Sequence, residues 1–145
     1  TQALIENLKR ELQLNASSLI GVNRPTAALT AGGSVSASES GTVFMVTQAS
    51  GTVTLPDPTK AAGVQFTFVL ITAASADLKF DSQLSAGIKG VVVAADGKKA
   101  INHQKIQYKS GTAVRGDRFT LVSDGNFYYL LDANADANGG IEDAS

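Results

Sequence analysis

Apolar and polar residues alternate with a period of two over much of residues 41–131, and this alternation predicts β-strands. The longest predicted strand directs four large apolar side chains to one face: Val64, Phe66, Phe68 and Leu70. Its other face carries Gln65, Thr67, Val69 and Ile71. Both faces are therefore expected to be at least partly covered. Several short strands at this spacing predict an all-β domain, namely an antiparallel β-sandwich or jelly-roll-like fold.

The clearest turn signal lies between two apolar runs near the end of this β region. Ser123-Asp124-Gly125-Asn126 separates the runs, and Asp124-Gly125 tolerates the positive φ of a tight hairpin. The period of two then predicts the inward side chains, which are Phe119 and Leu121 before the turn and Phe127, Tyr129 and Leu131 after it. A second predicted hairpin joins 42–47 to 52–55 through Gln48-Ala49-Ser50-Gly51, and a further turn is predicted at Asp96-Gly97.

The beginning of the chain has a helical pattern instead. Within Ala3–Leu14, four apolar residues share one helical face: Leu4, Ile5, Leu8 and Leu12. A helix of roughly twelve residues is marginal by itself in water, so this face must be buried. It docks on its own domain, on a neighbouring subunit or against its own copies around a symmetry axis, and the pattern leaves these alternatives open. We therefore predict an amphipathic helical arm at 1–22.

Two other segments lack such patterning. Residues 23–40 are rich in small and polar residues, with breakers at Arg24-Pro25 and Gly32-Gly33, and we expect an extended connector there. Residues 132–145 are rich in Asp, Asn, Ala and Gly, and we expect a flexible polar tail. The predicted organisation is thus an arm at 1–22, a connector at 23–40, a β-sandwich domain at 41–131 and a tail at 132–145.

The composition of the chain narrows the classes of partner. Its 145 residues include 12 Lys and Arg against 13 Asp and Glu, without a basic run, so we expect no nucleic-acid partner. Charged residues are 17% of the chain, below the roughly 25% of typical domains, and such a neutral surface suits burial against other subunits. No apolar run is long enough to span a membrane. The absence of cysteine excludes disulfides, thiolate nucleophiles and cysteine-ligated zinc.

No pattern of residues predicts a catalytic site, a metal or a cofactor. Five residues are a weak candidate for a calcium site, because their side-chain oxygens have the spacing of an EF-hand loop: Asp132, Asn134, Asp136, Asn138 and Asp143. Ala137 stands where that loop needs glycine, so a solvated polar segment is the favoured interpretation. The single histidine, His103, is expected in a loop or at a strand edge. Glycoside cleavage needs a pair of carboxylates, and no two in this sequence are predicted to converge. Turn and surface roles are favoured for most of the six candidates: Glu39, Asp57, Asp77, Asp81, Asp117 and Asp124.

Three segments of the β region resemble virion proteins of tailed bacteriophages. They are Ser40-Gly-Thr-Val-Phe-Met-Val-Thr-Gln-Ala-Ser-Gly-Thr-Val-Thr-Leu-Pro56, Gly63-Val-Gln-Phe-Thr-Phe-Val69 and Gly116-Asp-Arg-Phe-Thr-Leu-Val-Ser-Asp-Gly-Asn-Phe-Tyr128. A Thr-x-Leu-Pro strand end and a Leu-Val-Ser-Asp-Gly hairpin followed by an aromatic residue recur in head decoration (cement) proteins and in tail-fibre or spike modules. The resemblance covers residues 40–131 and implies no catalytic residues.

A short chain with an amphipathic arm, a connector and one β domain is similar to the small decoration proteins of this group. The resemblance implies a homotrimer on the capsid surface of the virion, made in the host cytoplasm, that binds the major capsid protein and stabilises contacts between its subunits. The predicted interface with capsid or sister subunits consists of apolar residues: Leu4, Ile5, Leu8, Leu12, Leu19, Ile20 and Val22. The alternative is a receptor- or glycan-binding module of a tail fibre or spike. A third interpretation is a small glycan-acting enzyme.

Overall fold

The computed structural model describes residues 1–8, 24–30, 32–47 and 50–145. Residues 2–8 are α-helical, and two short 3₁₀ helices lie at Ala37–Glu39 and Pro58–Lys60. Over these described ranges the chain forms twelve strands: β1 (Thr26–Leu29), β2 (Gly33–Ser34), β3 (Val43–Val46), β4 (Gly51–Thr54), β5 (Gln65–Leu70), β6 (Leu78–Asp81), β7 (Ile88–Ala94), β8 (Gly97–His103), β9 (Lys105–Tyr108), β10 (Arg118–Ser123), β11 (Tyr128–Ala135) and β12 (Ile141–Ala144). The all-β class predicted from the alternation is confirmed.

The strands form two mixed sheets. The seven-stranded sheet has the order β1-β3-β5-β10-β11-β7-β8, and the five-stranded sheet has the order β12-β9-β6-β4-β2. Of the ten strand pairings in the described part of the chain, five are parallel and five are antiparallel. The prediction of an antiparallel domain is therefore wrong for half of the pairings. Alternation reports which face a side chain takes, and it carries no information on the direction of the neighbouring strand.

The first six strands form a stack of three coils. The chain passes between the sheets after each strand, so β1, β3 and β5 are parallel neighbours in one sheet and β2, β4 and β6 in the other. Equivalent positions are aligned from coil to coil, as Thr26, Val43 and Thr67 are. The predicted hairpin between 42–47 and 52–55 is wrong, because β3 and β4 belong to different sheets. Residues 23–40, expected as a connector, instead supply β1 and β2.

Two hairpins lie in the second half of the chain, where the sequence predicts them. In the β10–β11 hairpin, Gly125 has a φ of +93°, and the Asp124 carboxylate accepts hydrogen bonds from the N–H groups of Phe127 (2.9 Å) and Asn126 (2.8 Å). These two N–H groups hold the pKa of the Asp124 carboxyl below its usual value. In the β7–β8 hairpin, Ala94 pairs with Gly97.

One hydrophobic core receives side chains from both sheets. Phe68 of β5 and Phe119 of β10 are fully buried, as the period of two predicts. The Phe68 ring centre lies 4.5 Å from that of Phe80 in the five-stranded sheet, within the range of favourable aromatic pairs. The hydroxyl of Tyr108, on β9, donates to the Phe68 carbonyl (3.0 Å) and the Asp117 carbonyl (3.1 Å). These contacts join the two sheets.

Residues 132–145, expected as a flexible polar tail, instead contain the end of β11 and all of β12. Ile141 is fully buried, and β12 pairs antiparallel with β9. The Asp143 carboxylate also reaches the edge strand of the other sheet, 3.4 Å from Lys99 Nζ and 3.5 Å from His103 Nε2. Burial of a single large apolar side chain therefore gives this polar segment a fixed place in the sheet.

Candidate interaction surfaces

The N-terminal helix exposes the apolar stripe that the sequence predicts. Leu4, Ile5 and Leu8 have 62%, 48% and 53% of their surface exposed. On another side of the helix, Gln2 Nε2 donates to Glu6 Oε1 at 3.1 Å. We call these three residues the arm stripe (Leu4, Ile5 and Leu8). Burial of such an apolar stripe is what stabilises a short helix. The other predicted interface residues lie outside the described residues: Leu12, Leu19, Ile20 and Val22.

A second apolar surface lies on the seven-stranded sheet, on the face that points away from the core. Val91 and Val93 of β7 are 47% and 49% exposed, and Tyr129 and Leu131 of the adjacent β11 are 39% and 50% exposed. We call these four residues the outer patch. The arm stripe and the outer patch together contain all the exposed large apolar side chains of the residues that the structure describes.

The outer patch exists because β11 is apolar on both faces. Tyr128 and Leu130 alternate with Tyr129 and Leu131, so a period of two does not decide which pair points inward. Tyr128 is buried, and its hydroxyl donates to the Pro56 carbonyl at 2.6 Å, which directs the other pair outward. The prediction that Tyr129 and Leu131 face the core is therefore wrong. The run Tyr-Tyr-Leu-Leu was the available signal, because it leaves a large apolar residue on each face.

Charged side chains border the outer patch. The Lys89 ammonium lies 4.4 Å from the centre of the Phe127 ring, which is half-buried instead of facing the core as predicted. Lys98 pairs with Val93 in the β7–β8 register and is exposed. Asp132 follows the patch on β11 in the left-handed conformation, with a φ of +49°. An apolar centre with a polar rim is the usual composition of a protein–protein interface.

A polar cleft of about 260 Å³ lies elsewhere, against the start of β10 and the end of β11. Both oxygens of the buried Asp117 carboxylate accept backbone hydrogen bonds, from the N–H of Val114 (3.1 Å) and the N–H of Asp136 (2.9 Å). Arg115, which also lines the cleft, donates through Nε to the Ile71 carbonyl at 2.8 Å. These contacts connect loops to one another, so a structural role accounts for the buried charge.

The five residues with EF-hand spacing do not form one loop. Strand β11 contains Asp132 and Asn134, the next loop contains Asp136 and Asn138, and β12 contains Asp143. Asp143 faces Lys99 and His103 instead. In the described ranges, no three His, Asp or Glu side chains are grouped so that they hold a metal ion. His103 ends the edge strand β8, as expected from the sequence.

The six carboxylate candidates for glycoside cleavage are all bonded to the backbone. Each accepts a hydrogen bond from a backbone N–H group: Glu39 from Ser36, Asp57 from Thr59, Asp77 from Ser110, Asp81 from Gln83, Asp117 from Val114 and Asp124 from Asn126. The Thr59 hydroxyl and N–H lower the pKa of the Asp57 carboxyl in this way. The predicted turn roles are confirmed for most of the six. Asp77 instead bonds to a residue 33 positions away, and the buried Asp117 also accepts from the N–H of Asp136, 19 positions away.

The chain was also compared with membrane-spanning helices and with known proteins. No helix among the described residues is both long enough and apolar enough to cross a membrane. Comparison of the chain with protein-family models, with curated proteins and with solved structures found no match.

Proposed function

We propose that this protein is a capsid decoration (cement) protein of a tailed bacteriophage, which binds the outside of the head and stabilises contacts between major capsid subunits. The observation that carries the proposal is the exposed arm stripe, attached to an all-β body. A short helix does not keep an apolar face in water without a partner. The resemblance of residues 40–131 to virion proteins supports the choice of that partner.

The proposal includes a sandwich-like body. The contact between the Phe68 and Phe80 rings and the hydrogen bonds of the Tyr108 hydroxyl support face-to-face packing of the two sheets. The parallel stack of β1–β6 differs from the antiparallel Greek keys of a jelly roll. We therefore limit the proposed architecture to a two-sheet sandwich.

The proposed mechanism is association without chemistry. Apolar side chains of the arm leave water against capsid or sister subunits, which contributes about 25 cal/mol per Å² before the costs of association. A homotrimer presents three arms to a shell with many equivalent sites, and this repetition adds avidity. The formal charge of −1 leaves no strong repulsion between neighbouring copies. The protein would act on the virion surface after synthesis in the host cytoplasm.

Co-sedimentation with capsids that lack this protein tests the proposal. Full-length protein should pellet with these capsids in a fixed ratio, and protein without residues 1–22 should stay in the supernatant. Circular dichroism of the truncated protein checks that its β domain is folded. Truncated protein that still pellets would remove the arm from the mechanism, and full-length protein that never pellets would overturn the proposal.

Point variants sharpen the same test. The double variant Leu4→Ser with Leu8→Ser removes most of the arm stripe, and we expect at least tenfold weaker attachment. Gln2→Ser is the matched control, because Gln2 is exposed and contacts Glu6 on another side of the helix. Equal attachment of the two variants would show that the apolar stripe is not the attachment surface.

A second candidate is a glycan-binding module of a tail fibre or spike. The observation that favours it is the exposed ring of Tyr129 within the outer patch, since aromatic rings offer an apolar face beside a polar tip. Protein that ignores capsids but binds bacterial surface polysaccharide, with the loss of that binding in Tyr129→Ala, would establish this alternative.

A further inference from the structure

The loop between β11 and β12 contains the single Asn-Gly pair of the chain, Asn138-Gly139. The side-chain amide of an asparagine lies within reach of the next backbone nitrogen, and glycine has no side chain that hinders their approach. We propose that this pair is a self-modification site, at which the Gly139 nitrogen attacks the Asn138 amide in the folded protein and converts it to aspartate and isoaspartate. No step depends on attachment to a capsid.

The reaction needs water and no other reagent. In the first step, the Gly139 nitrogen forms a bond to Asn138 Cγ, the bond from Cγ to Nδ2 breaks, and ammonia leaves with the proton of the Gly139 N–H. The product is a five-membered succinimide ring. In the second step, water opens the ring: cleavage at Cγ gives aspartate, and cleavage at the main-chain carbonyl carbon gives isoaspartate. Neither step oxidises or reduces the chain.

The reacting groups lie in a surface turn. The Gly140 N–H donates to the Ala137 carbonyl at 3.0 Å, so Asn138 and Gly139 are the two central residues of a β-turn, and Gly139 has a φ of +91°. Asn138 is exposed, and no group among the described residues accepts a hydrogen bond from the Gly139 N–H. The peptide group between the two residues can therefore rotate toward the side-chain amide without losing a hydrogen bond of that N–H.

The two Asp-Gly pairs of the chain, Asp96-Gly97 and Asp124-Gly125, lack this combination of features. In the first pair, the glycine belongs to β8 and pairs with Ala94. In the second pair, the glycine N–H donates to Ser123 Oγ at 3.1 Å, and the carboxylate accepts from the Phe127 N–H at 2.9 Å. A carboxylate is also ionised at neutral pH, and it is attacked by a nitrogen less readily than an amide is. The structure thus favours the Asn-Gly pair.

The modification changes the contact between this loop and the β7–β8 turn. The Asn138 N–H donates to Asp96 Oδ1 at 2.6 Å, and the Asn138 side chain lies against Gly97, where a Cβ atom would be 2.9 Å from Nδ2. A carboxylate at position 138 places a second negative charge beside Asp96, and like charges repel. Isoaspartate also lengthens the main chain of the turn by one carbon atom. Each reacted copy therefore gains one negative charge over the formal −1 of the chain, and its loop contact is weakened.

Incubation of the full-length protein at pH 7 and pH 9, followed by mass spectrometry of tryptic peptides, tests the site. Residues 119–145 form one tryptic peptide, which also contains Asn126 and Asn134 as internal controls. We expect two products with the change at Asn138, aspartate and isoaspartate, and at least fivefold faster conversion at pH 9, because the attack needs a deprotonated nitrogen. The two control asparagines should react at least tenfold less. An intact Asn138 after incubation at pH 9, or equal reaction of the three asparagines, would overturn the proposal.

Variants separate this site from others and the folded from the unfolded chain. Asn138→Gln should release at least tenfold less ammonia, since its longer side chain must close a six-membered ring, while the matched control Asn134→Gln should release as much as the wild type. Equal release from both variants would contradict the site.

Ile106→Val removes a methylene from a fully buried side chain and raises the unfolded fraction several-fold. Its rate of conversion at Asn138 should stay within twofold of the wild type, because the turn is accessible in the folded protein. A rate that rises in step with the unfolded fraction would show that only the unfolded chain reacts, and this result would also overturn the proposal.

Discussion

At the scale of single residues, Tyr108 shows how the two sheets are joined. Its ring is completely buried, and its hydroxyl donates to the carbonyl groups of Phe68 and Asp117, which both belong to the opposite side of the core. Burial, and then the nearby Asp117 carboxylate, raise the pKa of the Tyr108 hydroxyl well above its usual value. The residue therefore stabilises the fold only in its protonated form.

The variant Tyr108→Phe removes both hydrogen bonds of the Tyr108 hydroxyl. At pH 7 the free energy of unfolding of the variant should be about 1–3 kcal/mol lower than that of the wild type, because two buried carbonyl groups lose their hydrogen-bond donor. Above about pH 10, Tyr108 ionises in the unfolded chain but not in the folded protein. The free energy of unfolding of the wild type should therefore fall by up to about 1.4 kcal/mol per pH unit above that pH. The stabilisation by Tyr108 is thus complete below that pH and lost as pH rises. Urea unfolding at pH 7 and pH 11 should show a smaller difference between the proteins at pH 11, and a constant difference would contradict the assignment.

At the scale of elements, the stack of three coils depends on a close approach of two backbones. The Gly32 N–H donates to the Ser50 carbonyl at 3.2 Å, and a Cβ atom on Gly32 would lie 2.8 Å from the carbonyl oxygen of Thr52. Only glycine allows β2 and β4 to come this near at that point. The adjacent Gly33 has open space where its Cβ would be.

The two neighbouring glycines therefore form a matched pair for a test of the stack. Gly32→Ala should lower the free energy of unfolding by about 1–3 kcal/mol, because the added methyl overlaps backbone that cannot move aside alone. Gly33→Ala should change it by less than about 0.5 kcal/mol. Urea denaturation midpoints measure the stability of both variants. Equal midpoints would contradict the close approach of Gly32 to the backbone of Thr52.

At the scale of the whole molecule, the described residues expose two apolar surfaces, the arm stripe and the outer patch. The outer patch lies on the broad face of the seven-stranded sheet, away from the core that joins the two sheets. In the proposed homotrimer, contacts between subunits bury part of this apolar surface. Stability of the assembly is then linked to protein concentration.

A concentration series measures this linkage. Over a hundredfold increase in concentration, the Tm of the proposed homotrimer should rise by roughly 4–7 °C, since mass action adds about 1.8 kcal/mol per chain, which is two thirds of RT ln 100. The variant with Leu4→Ser and Leu8→Ser should show no such rise, and Gln2→Ser should behave as the wild type. A Tm that is independent of concentration in all three proteins would indicate a monomer.

Local patterns along the chain were sufficient for the β class, for the inward face of β5 and for the hairpin at Asp124-Gly125. Each of these depends on neighbours in sequence: alternate side chains of a strand lie on opposite faces, and glycine accepts a positive φ wherever it occurs. The shared helical face of Leu4, Ile5 and Leu8 was predictable for the same reason, because it follows from helical spacing, whereas its exposure was not predicted.

The pairing of strands was not predictable from local patterns in the sequence. The same alternating run is compatible with a hairpin or with a passage between sheets, so it does not distinguish a β3–β4 hairpin from the observed parallel stack. The outward direction of Tyr129 and Leu131 likewise depends on the hydrogen bond from the Tyr128 hydroxyl to the Pro56 carbonyl, two residues that are far apart in sequence. Residues 132–145 are ordered by burial of Ile141 against other strands. Contacts between distant segments select one partner for each strand, and no local period encodes that selection.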